Sequence, residues 1–297
     1  MLQDLNTGIV DTDRRSVIHV EQGRGHGDIL RLMSPSDLGE HLKPFVFLYL
    51  FAGDMRLMQQ AMPIHPHSGI ATVTVFTEGD VRFDDPDAGT GSLGYGGVEW
   101  MRAGGGVWHG KELSAGKSQT IQGFQLWVAL PPALENGPVD SQYIEASQMP
   151  TVGAATLVLG THDGAVSPVR SPDGMNYLLV RLAAGETWSY APPAGHTVGW
   201  AAVAKGSIDL GKTVVRGQIA ILEDGEKQIH VVAGPDGATF VVGSSVPHDH
   251  PLHLGYYSVH SSADALARGE ARIAELHEML QRSGDRRTGT GNVPIYR

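Results

Sequence analysis

The sequence predicts an all-β protein built from two jelly-roll β-barrels and a C-terminal helix. Glycine (39 residues) and proline (17 residues) are abundant, and the apolar runs are short and rich in valine, as in proteins with many strands and turns. The alternation of apolar and polar residues stops at a proline-rich segment and then returns. This repetition favours a duplicated β-barrel of the jelly-roll type.

The first half of the chain contains the clearest strands. Residues 42–50 have the Phe, Val and Tyr content of a buried strand, and residues 70–77 place valine and threonine on opposite faces. Residues 122–130 form a further apolar run. We expect the N-terminal barrel to occupy residues 1–135.

Prolines between positions 131 and 150 indicate a linker, because proline cannot donate a hydrogen bond within a sheet. We place the linker at residues 136–155 and the second barrel at residues 156–260. The second barrel shows no histidine pair in its copy of the pattern, only the isolated His196. We therefore predict that it binds no metal.

The region 261–297 differs from the rest. Ser261 and Asp264 resemble a capping box, and apolar residues recur at helical spacing through Leu280, which predicts a helix over residues 262–282. Gly269 is a weak point within it. Residues 283–297 are polar and glycine-rich, and we expect them to be loosely ordered.

Composition excludes several classes of function. A formal net charge of -10 argues against direct binding of nucleic acid or of anionic membranes. The absence of cysteine excludes disulfides, thiolate metal sites and thiol catalysis. Neither a signal peptide nor a membrane span is evident, so we expect a cytoplasmic protein.

Three histidines form a candidate metal site. His65 and His67 are two residues apart, so on a strand both side chains leave the same face. His109 lies in a second glycine-rich segment and could complete the set from a neighbouring strand. Imidazole nitrogens accommodate one mononuclear divalent metal, with Fe, Zn, Mn, Ni, Cu and Co all compatible.

The order of several motifs resembles the pirin family of bicupins. The resemblance is colinear through roughly residues 16–150 and rests on these segments: Glu21-Gln22-Gly23, His65-Pro66-His67-Ser68-Gly69, Thr72-Val73-Thr74, Glu78-Gly79, Val98-Glu99-Trp100-Met101-Arg102-Ala103-Gly104, His109 and Gln125-Leu126-Trp127-Val128. It implies two facing cupin barrels and one mononuclear metal site, usually of iron, in the first barrel. In that family the ligands are two histidines, a third histidine and a glutamate two residues after it.

The first three ligands map onto His65, His67 and His109. The fourth does not, because Lys111 occupies the glutamate position and Glu112 lies one residue later. Strand alternation would turn Glu112 away from His109 unless a bulge or loop re-aims it. Glu112 is the best candidate for the carboxylate; without it the site would be three histidines and water.

The resemblance implies a metal-dependent dioxygenase of the quercetinase (flavonol 2,3-dioxygenase) type, acting on a small aromatic or enediol substrate with O2. Glu112 would then bind the metal or take a hydroxyl proton from the substrate. An alternative is a non-catalytic redox-sensing regulatory protein that binds a transcription factor or an enzyme. A third is a bicupin that binds a small organic ligand without turnover.

Other motifs carry less weight. Residues 89–94 match a dinucleotide fingerprint but follow a loop and precede no helix. The cluster of His248, Asp249, His250 and His253 is interpreted as a solvated turn. Trp108 and Trp127 are candidates for a pocket or for the core, and Met55, Met58 and Met62 for a loop over the site.

Overall fold

The computed structural model describes residues 14–61, 64–85, 88–110 and 112–283. Three helices lie among the strands of this part of the chain: α1 (Leu38–Leu42), α2 (Met55–Ala61) and α3 (Ala263–Ser283). A 3₁₀ turn spans Ala146–Gln148. Everything else that is regular is strand, which confirms the all-β prediction.

The strands of the first half, in chain order, are β1 (Val17–Gln22), β2 (Arg24–His26), β3 (Ile29–Met33), β4 (Phe45–Asp54), β5 (His65–His67), β6 (Ile70–Glu78), β7 (Val81–Asp85), β8 (Gly89–Leu93), β9 (Val98–Arg102), β10 (Val107–His109), β11 (Leu113–Ala115), β12 (Thr120–Ala129) and β13 (Asp140–Ile144). Those of the second half are β14 (Thr151–Val152), β15 (Ala155–Leu159), β16 (Thr161–His162), β17 (Ala165–Val166), β18 (Met175–Leu182), β19 (Thr187–Tyr190), β20 (Val198–Asp209), β21 (Thr213–Val215), β22 (Gln218–Leu222), β23 (Ile229–Ser245), β24 (His253–Gly255) and β25 (Ser258–His260).

Two large antiparallel sheets dominate the molecule. The first has the order β13-β9-β6-β12-β4-β3-β2, and the second has the order β1-β22-β20-β23-β18-β15-β14 with β19 and β21 on its margins. Smaller sheets pair β10 with β5, and β11 with β7 and β8. The prediction of two barrels with a C-terminal helix is confirmed.

One apolar core joins the two large sheets. From the first sheet it includes Phe45, Val73 and Trp100, and from the second Tyr177 and Trp200, all fully buried. The rings of Phe45 and Trp200 meet edge to face at 5.5 Å. Because the outer face of the first sheet is covered in this way, its other face is free to surround a site.

The second barrel is filled by apolar side chains. Leu178, Val203, Phe240 and Val242 belong to a core of its own, separate from the one between the sheets. His196 is buried and its Nδ1 lies 3.0 Å from Ser244 Oγ. Among the described residues, no group of metal-ligating side chains forms in this barrel.

Strand pairing crosses the predicted domain boundaries. Strand β1 pairs with β22 of the second sheet, and β13, within the predicted linker, pairs with β9 of the first. The division into residues 1–135, 136–155, 156–260 and 261–297 stays a prediction. These pairings show that each large sheet draws on segments distant from it in sequence.

The structure changes two of the expected features, the start of a strand and the cap of a helix. The strand expected at residues 42–50 begins only at Phe45, because a short helix precedes it. At α3, the expected cap at Ser261 is wrong: Ser262 Oγ accepts from Ala265 N–H at 3.2 Å, while Ser261 Oγ donates to Glu135 at 2.7 Å.

No described helix has the length and apolar character needed to span a membrane.

Gly269 of α3 is a contact point rather than a weak point. A Cβ placed there would lie 2.5 Å from both Ser68 Oγ and His260 Nε2. The helix can approach the first barrel this closely only because no side chain intervenes.

Replacing Gly269 by alanine should destabilise the protein, although alanine normally stabilises a helix interior by about 0.5–1 kcal/mol. The added methyl group overpacks the contact, and a loss of about 1–3 kcal/mol of unfolding free energy is expected from urea titration. The control Ala274→Gly, at an exposed position of the same helix, should show only the ordinary propensity loss of about 1 kcal/mol. A stabilised Gly269→Ala variant would contradict this packing.

Candidate metal centre

The pairing of β5 with β10 brings the three histidines together. In this antiparallel pair His65 lies opposite His109, and Val107 lies opposite His67. His65 and His67 share a face because one residue, Pro66, separates them. Proline is tolerated here because β5 belongs to a two-stranded ribbon rather than to the centre of a sheet.

The three rings form a nearly regular triangle. Ring centroids are 4.9 Å apart for His65 and His67, 4.7 Å for His65 and His109, and 5.1 Å for His67 and His109. One nitrogen from each lies within 4.8 Å of the others. Three imidazole nitrogens at this spacing are a donor set for a divalent transition metal.

Two of the ligand nitrogens are buried without a hydrogen-bond partner. His67 donates from Nδ1 to the carbonyl oxygen of Tyr257 at 2.9 Å, which leaves its Nε2 as a lone pair with no partner. His109 Nε2 is likewise buried and unpartnered. A buried polar atom left unsatisfied costs about 1–3 kcal/mol, and coordination of a metal would remove this penalty from both.

Burial keeps the imidazoles neutral. Desolvation, reinforced by the neighbouring His65, lowers the pKa of His67 to about 3, against the hydrogen bond to Tyr257. The pKa of His109 falls well below its ordinary value for the same reasons, desolvation first. Neutral imidazole is the form that binds a metal, so protons do not compete at these two residues near neutral pH.

Glu112 is brought back towards the histidines by the loop after β10. Gly110 adopts a φ of 133° and donates its N–H to Glu112 Oε2 at 2.9 Å. The carboxylate is buried, and Oε2 lies 3.8 Å from His109 Nδ1. The chain therefore turns Glu112 inward despite the one-residue shift, beside His109 rather than among the three clustered nitrogens. Lys111 lies outside the described residues.

Sequence reasoning missed a row of polar side chains on the inner face of the first sheet. Register places Tyr49, Gln125, Thr74 and Glu99 side by side on β4, β12, β6 and β9. Gln125 Nε2 donates to Thr74 Oγ1 at 3.3 Å. We call these four residues the polar row. The one signal in the sequence was Glu99 itself, a charged residue among the apolar residues Val98, Trp100 and Met101.

A pocket separates the polar row from the histidine strands. Its polar wall includes His65, His109, Glu99 and Glu112. The remaining wall is mostly apolar and is lined by Phe51, Met55, Met58, Phe76, Leu113 and Ile121. Such a pocket suits a flat apolar ligand that carries hydroxyl groups at one edge.

Glu99 and Glu112 are both buried carboxyls. Desolvation, opposed by a hydrogen bond from Thr74, raises the pKa of Glu99 to about 7. Desolvation and the nearby carboxylates of Glu99 and Asp85 raise the pKa of Glu112 to about 7 as well. Both groups can therefore hold or release a proton near neutral pH.

The structure also places the other candidate residues. Trp127 packs against His67 with ring centroids 4.9 Å apart, whereas Trp108 stacks on His277 of α3 at 4.6 Å. Met55 and Met58 line the pocket from α2 instead of from a loop; Met62 lies outside the described residues, as do residues 284–297. Residues 89–93 form a strand, and no metal-ligating group forms at His248 or His250 within the described chain.

Two facing antiparallel barrels, one with three histidines at a pocket, define a bicupin. In comparisons with solved structures, quercetin 2,3-dioxygenase from Acinetobacter baumannii superposes with a TM-score of 0.72 at 23% identity, over 93% of this chain and 99% of that one. The bacterial pirin YhhW of Escherichia coli, solved in complex with nickel(II), gives a TM-score of 0.55 at 15% identity, over 77% and 99% of the two chains.

Sequence comparison identifies the family. The Pirin family profile matches residues 26–128. A Pseudomonas aeruginosa protein named "putative quercetin 2,3-dioxygenase" is 30% identical over 76% of this chain and 82% of its own length. The chain belongs to the pirin family.

Replacing Glu99 by glutamine should change how stability depends on pH. Since the pKa of Glu99 is raised from 4.5 to about 7 in the folded protein, its favourable contribution is present below pH 4.5 and is lost as pH rises to about 7. Glu99→Gln should therefore gain stability relative to the wild type over this interval, by up to about 3 kcal/mol at roughly 1.4 kcal/mol per pKa unit.

Urea unfolding of metal-free protein at pH 5 and pH 8 measures this difference. Glu278→Gln is a matched control, because Glu278 is exposed on α3 and pairs only with Arg282 among the described residues. If Glu99→Gln and the wild type keep the same stability difference at both pH values, the carboxyl does not titrate as the buried group described here.

Proposed function

We propose that this protein is a cytoplasmic, metal-dependent dioxygenase of the quercetinase type. His65, His67 and His109 would hold one mononuclear divalent metal, iron in the first place, with Zn, Mn, Ni, Cu and Co as the other candidates. The observation that carries the proposal is the pair of buried, unpartnered Nε2 atoms of His67 and His109 beside a pocket with two carboxyls. The quercetinase name of a relative and the nickel(II) complex of a pirin with the same fold support it.

The bound metal would supply a Lewis-acid centre with coordination positions open to the substrate oxygens and O2. The protein's own groups would do the rest. The apolar wall of the pocket would receive the aromatic ring of a flavonol or a related enediol and exclude water. Neighbouring Glu112 and Glu99 would face the substrate hydroxyl groups.

Glu112 is the proposed base. Its carboxyl lies beside His109, and its raised pKa, about 7, suits removal of a hydroxyl proton near neutral pH. Glu99 lies across the pocket on the polar row and would accept a hydrogen bond from a second hydroxyl. That Glu112 is the fourth metal ligand stays a prediction, which metal-site spectroscopy of Glu112→Gln would test.

Anaerobic loading with Fe(II), followed by oxygen uptake with a flavonol and a panel of enediols, tests the proposal. His67→Ala should lose bound metal, because it removes a ligand. Glu112→Gln should retain metal yet lose about 10²–10⁴-fold in turnover, the usual contribution of a positioned base. The exposed-site variant Ser92→Ala should behave as the wild type. Full metal occupancy without turnover on any substrate, for any of the candidate metals, would contradict a dioxygenase.

A second candidate is a non-catalytic redox-sensing regulator that binds a transcription factor or an enzyme. It is favoured by two exposed tyrosines at the tip of the β24–β25 hairpin: Tyr256 is 64% and Tyr257 is 44% exposed, and Tyr257 also contacts His65 and His67. Partner capture should then differ between the ferrous and ferric protein and should be weakened in Tyr256→Ser. Capture that does not depend on the oxidation state of the iron would count against it.

A further inference from the structure

The C-terminal segment returns from the second barrel to the histidine strands of the first. We call residues 253–283, which include β24, β25 and α3, the C-terminal clamp. On the β5 side, Val259 donates its N–H to Ser68 O at 3.2 Å. On the β10 side, Trp108 Nε1 donates to the carbonyl oxygen of Ile273 at 2.9 Å. The clamp therefore contacts the residue after His67 and the residue before His109.

The turn of the clamp touches a histidine directly. Tyr257 has a φ of 54°, in the left-handed region that residues other than glycine rarely adopt. In this conformation its carbonyl oxygen accepts from His67 Nδ1. Its ring also lies 5.5 Å from that of His65. The hydrogen bond fixes which nitrogen of His67 carries the proton and leaves Nε2 for a ligand.

A buried hydrogen-bond chain holds this turn against β5. Ser258 Oγ donates to Tyr256 O at 3.0 Å, so its oxygen is left to accept from Ser68 Oγ at 2.9 Å. Each hydroxyl has one hydrogen, and therefore His260 Nε2, 2.9 Å from Ser68 Oγ, must be the donor at the next link. His260 Nδ1 faces Glu135 Oε2 at 3.5 Å.

These hydrogen bonds do not form the catalytic triad of a hydrolase, although they link serine, histidine and glutamate. In a catalytic triad the histidine accepts the serine proton, whereas here the histidine donates to the serine. Its serine, histidine and glutamate are buried: Ser68 is 0%, His260 2% and Glu135 3% exposed. The hydrogen bonds thus fasten the turn at Tyr257 to β5, and their serine is not placed to attack a substrate.

We infer that the C-terminal clamp positions the metal-binding histidines, and that metal binding and docking of the clamp are coupled. Tyr257 is the positioning residue for His67, and Trp108 links α3 to the strand of His109. Partners that orient a metal-binding histidine typically contribute 10–100-fold to metal affinity. Because coupling is reciprocal, the metal must stabilise the docked clamp by the same factor. The inference rests on metal binding as proposed above.

Co(II) titration, followed by its ligand-field absorption, tests the positioning role on two variants of one residue. Glycine adopts the left-handed turn readily, whereas proline cannot reach a positive φ. Tyr257→Pro should therefore bind Co(II) at least tenfold more weakly than Tyr257→Gly, with an altered ligand-field spectrum. Trp108→Phe keeps a ring but loses the Nε1 donor, and it should weaken binding in the same direction. Ser92→Ala should match the wild type.

Hydrogen exchange of the full-length protein, with and without Co(II), tests the coupling. Amides of residues 253–283 should exchange at least tenfold more slowly in the Co(II) protein, and this protection should be lost in Tyr257→Pro. Equal Co(II) affinity and identical spectra for the two Tyr257 variants, or no metal-dependent protection, would overturn the inference. A wild type that takes up no Co(II) would instead overturn the proposed metal site itself.

Discussion

The apolar core between the two large sheets is the contact on which the rest of the structure depends. A seven-stranded sheet with one face exposed to water would need its apolar side chains on the other face, inside its own barrel. Here the second sheet covers the outer face, with Trp100 and Trp200 in the same fully buried cluster. The inner face can then carry threonine, glutamine and glutamate without losing the burial that stabilises the sheet.

The second barrel illustrates the opposite use of the same architecture. Its interior is filled by leucine, valine and phenylalanine. Among the described residues, no group of metal-ligating side chains forms in it. The two barrels thus differ in use: one is filled by apolar side chains, whereas the other encloses a pocket with histidine and glutamate side chains in its wall.

The electrostatics of the site follow from burial rather than from pairing. Glu112 and His109 are close enough to form an ion pair, yet desolvation raises the pKa of the carboxyl and lowers that of the imidazole, so both favour their neutral forms. A divalent cation bound among the three histidines would favour the ionised form of the Glu112 carboxyl, and the His109 imidazole would stay neutral. The buried groups of the site are therefore mostly neutral by themselves, and a cation bound there would supply the charge.

Local patterns in the sequence predicted the parts of the site that depend on neighbouring residues. The two-residue spacing of His65 and His67 and the helical spacing in α3 were sufficient for those elements. Glu99 escaped notice because its meaning depends on register across four strands. The contact between His67 and Tyr257 joins residues 190 apart, and no local spacing encodes it. The inward turn of Glu112 depends on the backbone of Gly110, which alternation alone does not describe.

The two ends of the described chain are exchanged between the barrels. The first strand, β1, lies in the second sheet, and the last segment, residues 253–283, lies against the first barrel. Neither half of the chain therefore contains everything that its own barrel uses. During synthesis the three histidines leave the ribosome before Tyr257 and α3, so the contacts of the histidine strands with residues 253–283 can form only after nearly all of the described chain has been made. A fragment cut between the barrels would likewise lack contacts on both sides: the N-terminal piece would lose Tyr257 and α3, and the C-terminal piece would lose β1.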